Sequence, residues 1–246
     1  MRRCFVDQDV FRQKISELPA GEAHHLLNVL RVKKGDEIEV FDGRGRTARA
    51  ALLSARKDSA VISILSSTIR RADPPAPAVV LIQALPKHSG LDAIVQKATE
   101  LGVHKIIPAV TDRVIVKISG RAADEKVARW RKIILAAAKQ SRTAWLPEIN
   151  PIVSLAEAVR EVPCDLRIFG SLAPQAPLLR EVMAKVGRPG PGSIALAIGP
   201  EGDLTDEEQG MLVGANFKPA SFGTEVLRVE TAAVFGLSAL NYEFRR

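Results

Sequence analysis

The chain is expected to be an α/β protein: a parallel sheet covered by helices, preceded by a small β-rich domain. Three observations carry this expectation. From residue 79 onward, short apolar runs alternate with segments of helical periodicity, the pattern of a parallel sheet with helices on both faces. Before residue 73, apolar residues recur at every second position, as in half-buried strands. Between the two, "RRADPPAPA" sets Pro74, Pro75 and Pro77 in a short span. That favours an extended linker, and the expected domains are 1–72 and 73–246.

In the first domain, "GEAHHLLNVLRVKKGD" predicts a short helix through His25–Leu30, ending in a basic turn at Lys33-Lys34-Gly35. "DEIEVFDGRGRTARAAL" alternates around Ile38, Val40 and Phe41 and turns at Asp42-Gly43, and "SAVISIL" repeats the period of two. In the second domain, "VVLIQAL" (79–85) is a continuous apolar run, as in a strand buried on both faces. "GLDAIVQKATELGV" sets Leu91, Ile94, Val95, Ala98 and Leu101 on one helical face, and "KIIPAV" (105–110) is the next strand. "DEKVARWRKIILAAAKQS" is a long helix with Val127, Trp130, Ile134 and Ala137 or Ala138 inward. Ser154 with Glu157 is a capping box opening another helix. Three strand–helix units follow. They are "DLRIF" (165–169) with "APLLREVMAKVG" closed by Gly187, "SIALAI" (193–198) with "TDEEQGMLVGA", and "PASF" (219–222) with "VETAAVFGLSALNYEF". The last helix, with Val234, Phe235, Leu237 and Leu240, suits the core.

The 246 residues carry a formal charge of +7. Residues 1–72 hold 14 Lys and Arg against 9 Asp and Glu, and the remainder holds 21 against 19. A basic excess concentrated at one end fits a polyanionic partner such as nucleic acid, and equally fits solubility alone. Aromatic residues are only 4%, too few for broad base-stacking platforms. No apolar run reaches the ~18 residues of a membrane span, and "MRRCFVDQDVFRQK" lacks the apolar stretch of a secretory signal. Cys4 and Cys164 stand far apart, which fits a cytoplasmic location and excludes a cysteine zinc site. His24, His25, His88 and His104 have no partners at ligand spacing, so no metal is expected. The phosphate loop G-x-x-x-x-G-K-[ST], the dinucleotide fingerprint and the G-x-S-x-G elbow are all absent.

Chemistry is expected where three glycine-bearing loops leave strand ends: Phe169-Gly170-Ser171, Gly199-Pro200-Glu201-Gly202 and Phe222-Gly223-Thr224. In open parallel sheets, ligands bind beyond the carboxyl ends of the strands. Glycine lets a backbone approach a ligand closely, and Pro200 stiffens its turn. "TEVLRVETAAVFG" adds Arg228 and Glu230 at the mouth of an apolar helix. Glu230 suits the positive end of the helix dipole, and Arg228 could orient a base or a phosphate.

The stretches "HHLLNVLRVKKGDEIEVFDGRG", "ALPK", "QKATELGV", "AAKQSR", "IGPEG" and "LRVETAA" occur in this order across nearly the whole chain. Together they resemble the ribosomal RNA small-subunit methyltransferase E family. These are bacterial 16S rRNA uridine-N3 methyltransferases of the SPOUT superfamily. The resemblance implies an N-terminal PUA-like β-barrel that holds RNA, a C-terminal domain with a deep trefoil knot, a homodimer, and S-adenosyl-L-methionine as cofactor. It implies 16S rRNA or the assembled small subunit as partner. Carried onto this chain, the cofactor residues are Phe169, Gly170, Ile198, Gly199, Pro200, Glu201, Gly202, Phe222, Gly223, Val226, Leu227 and Arg228. Arg228 is expected to stabilise charge on the uridine with Glu230 orienting it. Glu201 is the second choice for accepting the N3 proton, which bulk water could also take. Arg2, Arg3, Arg31, Lys33, Lys34, Arg44 and Arg46 are the expected phosphate contacts, with Arg113 and Arg142 near the cleft. The chain departs from the family pattern at Asp203, where a second glycine is usual, at Thr111–Val116, at Lys139, at Glu225 and at Val229. A non-enzymatic RNA binder, a knotted enzyme acting on a ribose or another base, and an unrelated α/β oxidoreductase, disfavoured by the missing dinucleotide fingerprint, are the rival readings.

Overall fold

The computed structural model describes residues 1–56, 59–86, 90–113 and 120–245. The chain divides into two units: Met1–Pro74 with Ala138–Leu146, and Pro75–Ala137 with Pro147–Arg246. His88, Lys87 of "ALPK" and Val114–Val116 lie outside the described residues.

The first unit is a six-stranded sheet. Its strands are β1 (Arg3–Phe5), β2 (Ile15–Glu17), β3 (Glu37–Phe41), β4 (Arg46–Arg56), β5 (Ser59–Ile64) and β6 (Arg70–Arg71). The path runs β1-β3-β4-β5-β2, with β6 beside β4. Alternation along β5 is complete, each second residue being buried. Ile38, Val40, Leu52 and Ile62 meet Val6, Leu18 and Leu26 in one core. Burying each such side chain stabilises the unit by about 1.5–3 kcal/mol. The predicted helix starts earlier than expected: α1 (Ala20–His24) runs into a π turn at His25–Val29. Pro19 opens it, and Glu22 and Ala23, ahead of the apolar run, are its buried residues. The strands β1 and β2 escape sequence reading because each has three residues, and the first carries a buried arginine.

The second unit is a seven-stranded sheet in which every pairing is parallel. It contains β7 (Ala78–Ala84), β8 (Lys105–Val110), β9 (Glu148–Ile149), β10 (Val153–Ser154), β11 (Leu166–Gly170), β12 (Ser193–Ile198) and β13 (Lys218–Ala220). The order is β10-β8-β7-β12-β11-β13, with β9 beside β8. Six of the seven residues of β7 are buried, the mark of a strand covered on both faces. The helices are α2 (Gly90–Glu100), α3 (Arg121–Ser141), α4 (Leu155–Arg160), α5 (Leu179–Ala184), α6 (Asp206–Gly214) and α7 (Val229–Phe244). Asp92 of α2 accepts hydrogen bonds from Arg129 Nε at 2.8 Å and Trp130 Nε1 at 3.0 Å, which tie α3 to α2. Thr99, not Leu101, completes the buried face of α2, and its hydroxyl bonds back to Val95 O at 2.8 Å.

The capping box at Ser154 and Glu157 is present. Helix α5 ends at Ala184, capped at Lys185, and not at Gly187. Gly187 lacks the left-handed backbone of a glycine cap, so the chain leaves the helix through an ordinary turn. Helix α7 packs on β12 through Gly236, where a Cβ would come within 2.8 Å of Leu196 Cδ2. That missing carbon brings α7 close to the sheet and sets its first turn beside the strand ends.

Candidate functional site

The carboxyl ends of β7, β12, β11 and β13 stand side by side, and a cavity of about 540 Å³ opens beyond them. Pro86 and Gly90 line it after β7, and Ile198 to Glu201 with Asp203 after β12. Gly170, Ser171 and Leu172 contribute after β11, and Ala220 to Gly223 with Glu225 to Glu230 and Ala232 after β13. All the expected cofactor residues except Phe169 and Gly202 therefore face one space. Phe169 is 1% exposed and belongs to the sheet core. Gly202 turns away, and a Cβ there would lie 3.4 Å from Arg113 Cδ. Ser171 lies in one of the expected loops, whereas Pro86, Gly90, Leu172, Ser221 and Ala232 were not anticipated. Their signal was positional, since four of them lie within a few residues of a strand end.

The Gly-Pro-Glu-Gly turn is held from within. Asp203 N donates to Pro200 O at 3.0 Å. Asp203 adopts φ +60°, a left-handed backbone that favours glycine. Aspartate is tolerated there because its own Oδ1 accepts from Leu204 N at 2.8 Å. At Gly199 a Cβ would meet Leu204 Cγ at 3.2 Å. Thr205 and Glu208 form the capping box of α6. Glu208 is buried, and its second oxygen accepts from Asp112 N at 2.9 Å. Arg113 Nη1 donates to Gly202 O.

The loop from Ser221 to Arg228 is held by less. Ser221 Oγ donates to Gly223 O at 3.1 Å, and Gly223 adopts φ +136°. Val226 is 76% exposed. Arg228 is the N-cap of α7, is exposed, and among the described residues its guanidinium makes no hydrogen bond or ion pair. The expected Arg228–Glu230 contact is absent among the described residues. Glu230 sits half-buried in the first turn of α7, where the helix dipole favours its charge. Glu201 is exposed on the cavity wall.

In the first unit, Arg31, Lys33, Lys34, Arg44 and Arg142 are exposed, and Arg2 pairs loosely with Asp36 at 3.4 Å. Two of the expected phosphate contacts are committed elsewhere. Arg3 is 6% exposed and donates to Ala138 O at 2.9 Å and Thr143 O at 2.8 Å. Its Nε lies 2.7 Å from Glu39 as an ion pair without hydrogen-bond alignment, and its guanidinium covers the Phe41 ring at 4.1 Å. Burial pushes the Arg3 guanidinium pKa down and Glu39 pushes it up. Arg3 is a strut, not a phosphate contact. Arg46 is half-buried against Asp42 at 2.6 Å and donates to Gln8 O at 3.1 Å. The Lys139 departure is explained by Glu22, whose carboxylate meets Lys139 Nζ at 2.5 Å. That carboxylate also accepts from the Cys4 thiol at 3.0 Å, and burial, with the Glu22 charge, pushes the thiol pKa up.

A glycine-walled cavity at the strand ends of a parallel sheet, in one chain with a small β unit, defines the class. The model of an RNA methyltransferase domain matches residues 73–241, and that of an RNA methyltransferase PUA domain matches residues 18–65. Ribosomal RNA small subunit methyltransferase E of Synechocystis is 34% identical over 226 residues, covering 91% of this chain and 72% of the relative. The protein of the same name from Bacillus subtilis is 30% identical over 99% of this chain and 97% of its own length. A crystal structure of the Neisseria gonorrhoeae ribosomal RNA small subunit methyltransferase E, bound to S-adenosyl methionine, superposes with a TM-score of 0.88 at 30% identity. It covers 100% of this chain and 98% of that one. The chain belongs to the ribosomal RNA small subunit methyltransferase E family, and its fold is that of the SPOUT-type RNA methyltransferases with an N-terminal PUA domain.

Proposed function

We propose that this protein transfers a methyl group from S-adenosyl-L-methionine to N3 of a uridine in 16S ribosomal RNA. The observation that carries this reading is the cavity of about 540 Å³ with glycine backbone on three of its walls. Its volume suits a small cofactor, and the missing Cβ atoms at Gly170, Gly199 and Gly223 leave main-chain groups open to it. The Neisseria relative bound to S-adenosyl methionine supports the same assignment.

Gly170, Gly199 and Gly223 would hold the cofactor with their backbones, and Ile198, Pro200, Phe222 and Leu227 would cover its apolar surface. When bound, S-adenosylmethionine supplies an electrophilic methyl on a sulfonium. The protein must then place a base whose N3 lies on the Watson–Crick edge, reachable only in unpaired RNA or in a base turned out of its stack. Arg228 would stabilise negative charge developing on a uridine oxygen as N3 loses its proton. Its guanidinium is exposed and, among the described residues, makes no hydrogen bond or ion pair, which supports that role. Glu230 would favour the site through the first turn of α7, not by gripping Arg228. Bulk water takes the proton, with Glu201 as the second candidate.

Arg2, Arg31, Lys33, Lys34, Arg44 and Arg142 would contact RNA phosphates as exposed cations of the first unit. We extend the reading to a cytoplasmic homodimer with the deep knot of its superfamily. Phe235 at 43% and Tyr242 at 91% exposure offer a seam on α7, while Leu237 and Leu240 are core. Among the described residues no helix is long and apolar enough to cross a membrane, and no group of His, Cys, Asp and Glu could hold a metal.

The test is methylation of 16S rRNA and of small subunits in vitro, read by mass spectrometry of the released nucleosides. The expected product is 3-methyluridine at one position. Methyl on a ribose or another base overturns the uridine assignment, and no methyl on either substrate overturns the reaction.

A further inference from the structure

Two bonds join the segment after β8 to the turn that walls the cavity. Glu208 needs only Thr205 N, at 2.9 Å, to complete its capping box. Its other oxygen reaches across to Asp112 N, also at 2.9 Å, and the carboxylate is 6% exposed. This anchors the backbone beside Arg113 from within the protein. From there Arg113 reaches Gly202 O through Nη1, and its methylene stem packs where a Gly202 Cβ would lie. Gly202 sits between Glu201 and Asp203, both of which line the cavity. Arg113 is nonetheless exposed. A guanidinium has five N–H donors in a fixed fork, so one can hold a carbonyl while others meet a phosphate.

We propose that Arg113 is a positioning residue that bridges the RNA backbone to the cofactor turn, so that each ligand tightens the binding of the other. This rests on the methyltransferase reading above. A phosphate on the outer side of the fork would order the guanidinium, and with it the Gly202 carbonyl and the turn behind it. Linkage then requires the effect to run equally in both directions. Lysine offers a point charge without the fork, so it would keep attraction to RNA and lose the bridge.

The experiment is calorimetric titration of the full chain with S-adenosylhomocysteine, alone and with saturating 16S rRNA, for wild type, Arg113→Ala and Arg113→Lys. Melting curves confirm that each variant is folded. Wild type is expected to bind the cofactor product about tenfold more tightly with RNA present, within the usual range of such couplings. Both variants should lose that gain. Arg113→Ala should also flatten the salt dependence of RNA binding by about one phosphate contact, which a purely structural residue would not do, and Arg113→Lys should restore it. Retention of the tenfold gain in the variants, or its absence in wild type, overturns the proposal. Failure of wild type to bind S-adenosylhomocysteine with or without RNA overturns the underlying methyltransferase reading as well, and is a different result.

Discussion

Two loops wall the same cavity and are built in opposite ways. The turn after β12 is closed by Asp203 N on Pro200 O, by the Thr205–Glu208 cap, and by Arg113 and Glu208 from the neighbouring segment. The loop after β13 is tied at its start, where Ser221 N donates to Pro177 O and Ser221 O accepts from Leu179 N, and at Phe222, which packs on Phe235, and it leaves Val226 and Arg228 in solvent. Under the proposed reaction, the difference separates two tasks. A small cofactor of fixed shape is served by a wall set before binding, because a preformed site loses little entropy on binding. A base drawn out of folded RNA is served by a wall that can still adjust. Substitutions in the first loop should therefore register as stability and cofactor affinity, and those in the second as turnover.

The largest expected effect is that of Gly199→Trp. The Cβ alone is already tight against Leu204, and Gly199 lines the cavity, so an indole there has to displace the turn or fill the cavity. Cofactor affinity should fall by ~100-fold or more, about 3 kcal/mol, by calorimetry with the fold intact by circular dichroism. Arg228→Ala comes next on the other side of the comparison. Turnover should fall ~100-fold with cofactor affinity and melting temperature nearly unchanged, the behaviour of a charge-stabilising donor. Glu208→Ala should cost about 1 kcal/mol in denaturant unfolding, because it removes the glutamate half of a capping box and the acceptor of Asp112 N–H. Asp203→Ala should destabilise by about 1 kcal/mol while Asp203→Gly is close to neutral, since only glycine relieves the left-handed backbone. Val226→Ser should shift stability by less than ~0.5 kcal/mol and act, if at all, on turnover. A large stability loss at Arg228 or Val226 would erase the contrast between the loops.

Much of this was legible in the sequence where periodicity and caps reinforce each other. β12 and α7 have the residues the apolar runs predict, and the Thr205–Glu208 signal marks the start of α6. The cavity was legible through glycines just past strand ends, because backbone conformation there is a local property. Side-chain partners were not. Arg3 reads as a surface cation, yet its role depends on carbonyls more than a hundred residues away. Arg228 and Glu230 stand two apart at a helix start, a spacing that points them to different faces. Lys139 makes sense only once Glu22 is found beside it. The parallel strand order, with β12 between β7 and β11, brings the loops together and has no local signature.

The first unit is not continuous along the chain. Ala138–Leu146 belongs to it, and that segment supplies the two carbonyls that hold Arg3, the lysine that neutralises Glu22, and Leu146, whose N–H bonds to Gly43 O at 3.0 Å. On a translating ribosome, residues 75–137 emerge in between. At ordinary elongation rates this interval lasts on the order of ten seconds. The hairpins β3–β4 and β4–β5 are local and can pair at once, but Glu22 and the Arg3 guanidinium must wait, hydrated, for partners not yet made. The nascent chain thus passes through a partly assembled sheet with long-range contacts still to form, a topology that folds slowly and leaves apolar surface open to chaperones in the interval.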